Sequence, residues 1–169
     1  CLVGSEMCIR DRARDQAPHY EHTRIGYNYR LSNVCAGIGR GQMLSLPSFL
    51  EKRRGIHEEY RRRLSGVPGL SLLENPDSRY HSNHWLTCVQ VNPEEARFDR
   101  ETLRLALQKA GVESRPLWKP MHLQPVFRSC PFYGSGVSDR LFEEGLCLPS
   151  GASLAGEDMD RIIDVLLNL

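Results

Sequence analysis

Between residues 24 and 43 the chain reads Arg-Ile-Gly-Tyr-Asn-Tyr-Arg-Leu-Ser-Asn-Val-Cys-Ala-Gly-Ile-Gly-Arg-Gly-Gln-Met, and no other stretch restricts the backbone so closely. Ser32 is placed to cap a helix beginning near Asn33, because its hydroxyl can accept from an unpaired amide of the first turn, and Leu31 and Val34 flank it with apolar side chains. Asn28, Tyr29 and Arg30 then precede a positive helix end. Unpaired amides, the helix dipole and a guanidinium there all favour an anion, most simply a phosphate.

The segment Gly26-Tyr27-Asn28-Tyr29-Arg30-Leu31-Ser32-Asn33, preceded by Ala17-Pro18-His19-Tyr20-Glu21-His22, resembles the DegT/DnrJ/EryC1/StrS sugar aminotransferases. These carry Gly-Tyr-Asn-x-Arg-x-Ser-Asn before a helix of small residues. The resemblance implies a pyridoxal 5'-phosphate enzyme working as a homodimer with shared active sites, in which the asparagine reaches the neighbouring subunit's cofactor. It assigns Asn28, Tyr29 and Arg30 to cofactor binding and Tyr27 to the substrate side. His19 and His22 either line the same cleft or are exposed loop residues.

A second stretch, Arg115-Pro-Leu-Trp-Lys-Pro-Met-His-Leu-Gln124, resembles the same family's Arg-Pro-x-Trp-x-Pro-x-His-x-Gln segment beside the nucleotide-sugar pocket. From the residues alone, Trp118 is either a core aromatic or a flat platform for a sugar or base. His122 is either a satisfied loop residue or a hydrogen-bonding group, and Lys119 offers a charge for a diphosphate.

With 169 residues the chain holds one substantial domain, and 40% hydrophobic with 25% charged residues is the composition of a globular protein. A net charge of +1 gives no reason to expect nucleic acid, and no apolar run approaches the ~20 residues of a membrane helix. The six cysteines contain no Cys-x-x-Cys pair, which argues against zinc and against a disulfide framework and fits a reducing cytoplasm. Cys35, Cys88 and Cys147 sit in apolar company, as buried cysteines do.

Residues 1–12 do not begin with methionine and resemble a translated sequencing-adapter string, which would add nothing to the fold; the alternative is a native strand or helix edge. On the adapter reading the chain is a C-terminal piece of a longer enzyme. Residues 13–45 would then end the large cofactor-binding domain, and 46–169 would form the long helix and small domain.

The periodicity predicts a helix over about 33–44, costly at Gly37, Gly39 and Gly41 unless close packing uses them. A break follows at Leu46-Pro47. A second helix continues through Phe49, Ile56, Tyr60 and Leu64, with Arg54–Glu58, Glu58–Arg62 and Glu59–Arg63 as i,i+4 pairs and Arg61, Arg62 and Arg63 on a solvated face. Strands are expected at 70–73, 84–91 and 112–115, with a helix from about Asp99 to Gly111. An ordered irregular loop should cover 116–136, a short helix 139–145 and an apolar segment 146–148. A final helix over 157–167 should turn Met159, Ile162, Ile163, Leu166 and Leu167 inward. This order specifies an α+β or three-layer α/β unit. The resemblance implies the small C-terminal domain of a fold type I pyridoxal phosphate aminotransferase: a small sheet packed with helices plus a long connecting helix.

Other patterns carry less. His81 and His84 lack a third ligand nearby and read as structural. Gly37, Gly39 and Gly41 lie inside a helix and form no nucleotide loop. Ser150 has no base in view. The lysines are Lys52, Lys109 and Lys119, and none sits in the family's Schiff-base motif. The resemblance therefore implies that the catalytic lysine lies upstream and that this piece is inactive alone. The full enzyme would move an amino group, from glutamate, to a 4-keto carbon of a UDP- or dTDP-linked 6-deoxyhexose in bacillosamine-type or exopolysaccharide synthesis. Rivals are a sugar 3-dehydratase of the same fold, with histidine for the lysine, and a noncatalytic regulatory relative.

Overall fold

A computed structural model describes residues 31–169. The chain divides into two compact units between Leu46 and Pro47. The expectations on His19, His22, Tyr27, Asn28, Tyr29 and Arg30 lie outside the described residues.

Helix α1 spans Asn33–Leu64. Ser32 caps it: the Cys35 amide donates to Ser32 Oγ at 3.2 Å, and the Ala36 amide to the Ser32 carbonyl at 2.8 Å. The expected break at Pro47 is absent, and α1 is one helix of 32 residues with Pro47 inside it. Proline there can give no amide to the Met43 carbonyl, but hydrogen bonding on both sides carries the helix across one lost bond.

In the first unit, residues 31–46 are exposed throughout, including Val34, Ile38, Met43 and Leu44. Cys35 is exposed rather than buried. The close packing expected at Gly37, Gly39 and Gly41 is not made by the described residues, since a Cβ on any of them meets nothing within 4 Å.

The second unit is built on a four-stranded sheet: β1 (Leu70–Leu72), β2 (Thr87–Val91), β3 (Arg115–Pro116) and β4 (Gly145–Leu148), in the order β1-β2-β4-β3. Every pairing is antiparallel, which selects the α+β alternative. Strand β2 begins three residues later than expected, because the chain is irregular through His84 and bends at residues 85–86. Strand β3 is only two residues long.

Between β2 and β3 lie α2 (Pro93–Ala96), capped by Asn92, and α3 (Arg100–Lys109), capped by Asp99. Short 3-10 turns at Met121–Leu123 and Pro125–Phe127 interrupt the irregular stretch before α4 (Val137–Glu144). Helix α5 (Gly156–Leu167) ends the fold.

Alternation along β2 buries Thr87, Val89 and Val91. Val89 and Val91, with Leu146 and Leu148, join Tyr60 and Leu64 of α1, Leu103 and Leu107 of α3, and Met159, Ile162, Ile163 and Leu166 of α5 in one cluster. Each large side chain there contributes about 2 kcal/mol of burial. Leu167, expected to face inward, is half-exposed because it falls one position past the buried stripe.

The expected i,i+4 pairs on α1 are largely replaced by i,i+3 pairs, Glu58–Arg61 and Glu59–Arg62. Arg63 lies 3.9 Å from Glu59 and also reaches Asp160 on α5, while Arg54 turns its Nε to the Ser82 carbonyl at 3.3 Å. Arg61 and Arg62 are exposed, as a solvated face requires. No described helix is long and apolar enough to cross a membrane.

Candidate functional site

A concavity of about 660 Å³ in the second unit lies where residues 111–116, Trp118 and the end of β4 face α5. Trp85 and Trp118 stand at it, with ring centroids 6.0 Å apart and planes tilted by 38°. Both are largely exposed, Trp118 to 66%. Of the two readings of Trp118, the core one is thereby removed.

Trp85 was not legible as a site residue; the sequence places it within a strand. His84, at φ 45°, turns the chain out of extended geometry before β2 begins. Two local hydrogen bonds and one from α1 hold the bend: the Trp85 amide donates to Asn83 Oδ1 at 3.0 Å, the His84 amide to Ser82 Oγ at 3.0 Å, and Arg53 Nη1 of α1 to the Trp85 carbonyl at 2.7 Å.

At the far wall, Ser150 Oγ accepts from the Thr87 amide at 2.8 Å and donates to the Leu148 carbonyl at 2.9 Å. Its hydroxyl is buried and committed to joining β2 to β4, a structural role. Arg115 and Arg161 line the concavity, but Glu113 lies 2.6 Å from the first and Asp158 3.3 Å from the second. Its cations are thus locally matched by carboxylates.

His122 lies outside this concavity, in the first 3-10 turn. Its Nε2 is 2.7 Å from Asp139 Oδ1 on α4, and its ring stacks on Phe132 at 3.6 Å between centroids. Both facing atoms are buried, and neither has another partner. The contact lacks hydrogen-bond alignment, so it acts as a close electrostatic pairing. Asp139 carried no sequence signal beyond its place in a helical first turn. Lys119 is exposed and takes no part in the concavity; Gln124 Nε2 donates to its carbonyl at 3.4 Å.

A second histidine arrangement was also not legible. His57, buried on α1, stacks on His84 at 3.7 Å, and its Nε2 lies 3.3 Å from Glu74 Oε2. Burial, and then the charge of His57, push the His84 pKa down. His81 is exposed, and no three metal-binding side chains converge among the described residues.

Residues 5–167 match the DegT/DnrJ/EryC1/StrS aminotransferase family, and the chain belongs to it. It is 38% identical over 165 residues to a Bacillus subtilis protein carried under the name of pyridoxal phosphate-dependent aminotransferase EpsN, covering 95% of this chain and 42% of that protein. It is 29% identical over 168 residues to a GDP-perosamine synthase of Vibrio cholerae, covering 99% and 45%. The crystal structure of the aminotransferase TlmJ from Streptoalloteichus hindustanus superposes with a TM-score of 0.78 at 26% identity, over 99% of this chain and 44% of that one. The chain therefore spans less than half the length of these relatives. The fold implied by the resemblance, a small helix-packed sheet with a long connecting helix, is the fold found.

Proposed function

We propose that this chain is the C-terminal part of an enzyme that uses pyridoxal 5'-phosphate to transfer an amino group from glutamate to the 4-keto carbon of a 6-deoxyhexose linked to UDP or dTDP. It would work in the cytoplasm as a homodimer with shared active sites. Trp118, Lys119 and His122 would serve the nucleotide sugar with Tyr27, while Asn28, Tyr29 and Arg30 would serve the cofactor.

The described residues do not by themselves fit the cofactor. Lys52, Lys109 and Lys119 are all exposed, and none lines the concavity at Trp118. A Schiff-base lysine works from a desolvated, enclosed position, which none of these three occupies. Their part is binding: Trp118 presents a ring face, and Asp139 and Phe132 hold the His122 ring in place.

The observation that carries the reading is the exposure of Trp118 beside Trp85, since a large aromatic held out of the core suits a planar or sugar ring. The test uses the protein that carries this chain together with its upstream residues. Glutamate is supplied with UDP-, dTDP- and, following the name of one relative, GDP-linked 4-keto-6-deoxyhexose, and the amino sugar and 2-oxoglutarate are measured. Turnover of one sugar is expected, and Trp118→Ala should raise its KM about tenfold while sparing the half-reaction with glutamate. No turnover with any of the three, or no visible absorbance after cofactor is added, overturns the proposal.

A further inference from the structure

Cys88 of β2 and Cys147 of β4 are direct partners in the antiparallel register, with their Sγ atoms 3.8 Å apart. The Cys88 carbonyl accepts from the Leu73 amide, so the Cys88 peptide groups point toward β1 and away from β4. On β4, Cys147 is in register with Arg115 of β3, and the carbonyl of Gly145, two residues before it, accepts from the Leu117 amide on that same side. Cys88 and Cys147 are therefore a non-hydrogen-bonded pair, the kind whose Cα atoms approach to about 4.5 Å. That spacing lies within the range a disulfide spans.

We propose that Cys88 and Cys147 form a dithiol oxidation site that takes hydrogen peroxide, with Cys147 as the attacking thiol and Cys88 as the resolving one. The assignment follows from position. Cys147 is the more buried of the two, yet it lines the concavity beside Trp118, from which a small oxidant reaches it, whereas half-buried Cys88 does not line that concavity. The hydrogen bond between the two thiols lowers the Cys147 pKa, and the same bond together with burial raises that of Cys88.

The Cys147 thiolate attacks one peroxide oxygen. The O–O bond breaks, the leaving hydroxide takes up the proton released by Cys147 to become water, and Cys147 becomes a sulfenic acid. Cys88 then loses its proton and attacks the Cys147 sulfur, expelling hydroxide that combines with that proton as a second water. Two thiols are oxidised by two electrons and one peroxide is reduced to two waters, leaving one disulfide between β2 and β4. The disulfide removes a thiol from the wall of the concavity and ties the two central strands together.

The test uses the 169-residue chain, reduced, treated with one equivalent of hydrogen peroxide, quenched with catalase, denatured and alkylated. Intact mass should show the loss of two alkylatable thiols, peptide mapping should place the link between Cys88 and Cys147, and dithiothreitol should restore both thiols. In Cys88→Ala, dimedone should label Cys147; in Cys147→Ala, Cys88 should stay alkylatable and unlabelled. A variant with Cys1, Cys8, Cys35 and Cys130 all replaced by serine should behave as the unmodified chain does. The proposal fails if Cys88 and Cys147 stay alkylatable under peroxide that oxidises Cys35 and Cys130. It fails equally if the same link forms as readily in concentrated guanidinium. Circular dichroism of each variant separates loss of reaction from loss of fold, and a variant that does not fold is replaced by its serine counterpart.

Discussion

Asp139 holds its carboxylate 2.7 Å from His122 Nε2 while Phe132 stacks on the ring, so the imidazole is held by α4 and by the loop that leads into it. A carboxylate facing one ring nitrogen favours the tautomer protonated there. Asp139→Asn keeps the shape and removes the charge. Nitrogen-15 shifts should show the Nε2-protonated form of His122 in the unmodified chain and a mixture of tautomers in the variant. In the complete enzyme the variant should weaken nucleotide-sugar binding by about 1 kcal/mol, read as a rise in KM at unchanged thermal midpoint. An unchanged tautomer would show that the carboxylate does not set the ring.

Tyr60 is fully buried, and its hydroxyl donates to the Pro149 carbonyl at 3.0 Å, tying α1 to the chain just past β4. Tyr60→Phe should cost about 1 kcal/mol in urea unfolding through the lost hydrogen bond, and Tyr60→Ala about 3–5 kcal/mol through the cavity. Burial pushes the phenol well above its ordinary value of 10.0. A folded pKa above the unfolded one means that the associated stability is complete below pH 10 and declines as pH rises further. The phenylalanine variant, having no phenol, should lack that alkaline decline, and a decline equal to the parent's would assign it to other groups.

Gly69 and Gly66 share a left-handed backbone, φ +74° and +80°, but not the same surroundings. A Cβ on Gly69 would fall 2.3 Å from the Ala96 nitrogen, whereas one on Gly66 meets nothing within 4 Å. The Gly69 carbonyl also accepts from the Asn92 amide at 2.8 Å, so the backbone there cannot retreat without loosening the cap of α2. Gly66→Ala should therefore cost about 1 kcal/mol of conformational strain and Gly69→Ala more. Denaturant midpoints of the two variants measure the difference, and equal midpoints would mean that the contact with Ala96 relaxes.

Local signals in the sequence located most elements because each has a local cause. Ser32 and Asp99 cap helices with their own side chains, Gly111 ends α3 at φ +73°, and the stripe Met159, Ile162, Ile163, Leu166 repeats at helical spacing. Failures came where distant residues decide. Pro47 reads as a helix start on local chemistry, yet its helix continues on both sides. Trp85 reads as strand, yet Arg53 and Arg54 of α1 hold the bend that turns it outward. The pairings of His122 with Asp139 and of Cys88 with Cys147 span 17 and 59 positions, beyond any local periodicity. Trp118 and His122 stand out in the sequence only through a spacing that matches a family segment, and the structure sets Trp118 at the concavity and His122 outside it.

Asp99 illustrates how such a local signal can be tested through pH. Its Oδ1 accepts from the Thr102 amide at 2.7 Å and from the Thr102 hydroxyl at 2.6 Å at the start of α3. The hydroxyl, and then the amide, hold its carboxyl below the ordinary value of 3.8. A folded pKa below the unfolded one means that this stability is complete above pH 3.8 and is lost as pH falls through the folded value. Asp99→Ser keeps an acceptor for the amide but has no proton to gain, so its urea midpoint should be slightly lower at pH 7 and should fall less between pH 4 and pH 2. Asp99→Ala should lose the cap at every pH. If the serine variant and the parent decline in parallel below pH 4, the acid sensitivity of the fold belongs to other carboxylates, among them Glu101 and Asp77, which are likewise held low by hydrogen bonds from Arg104 and Arg79.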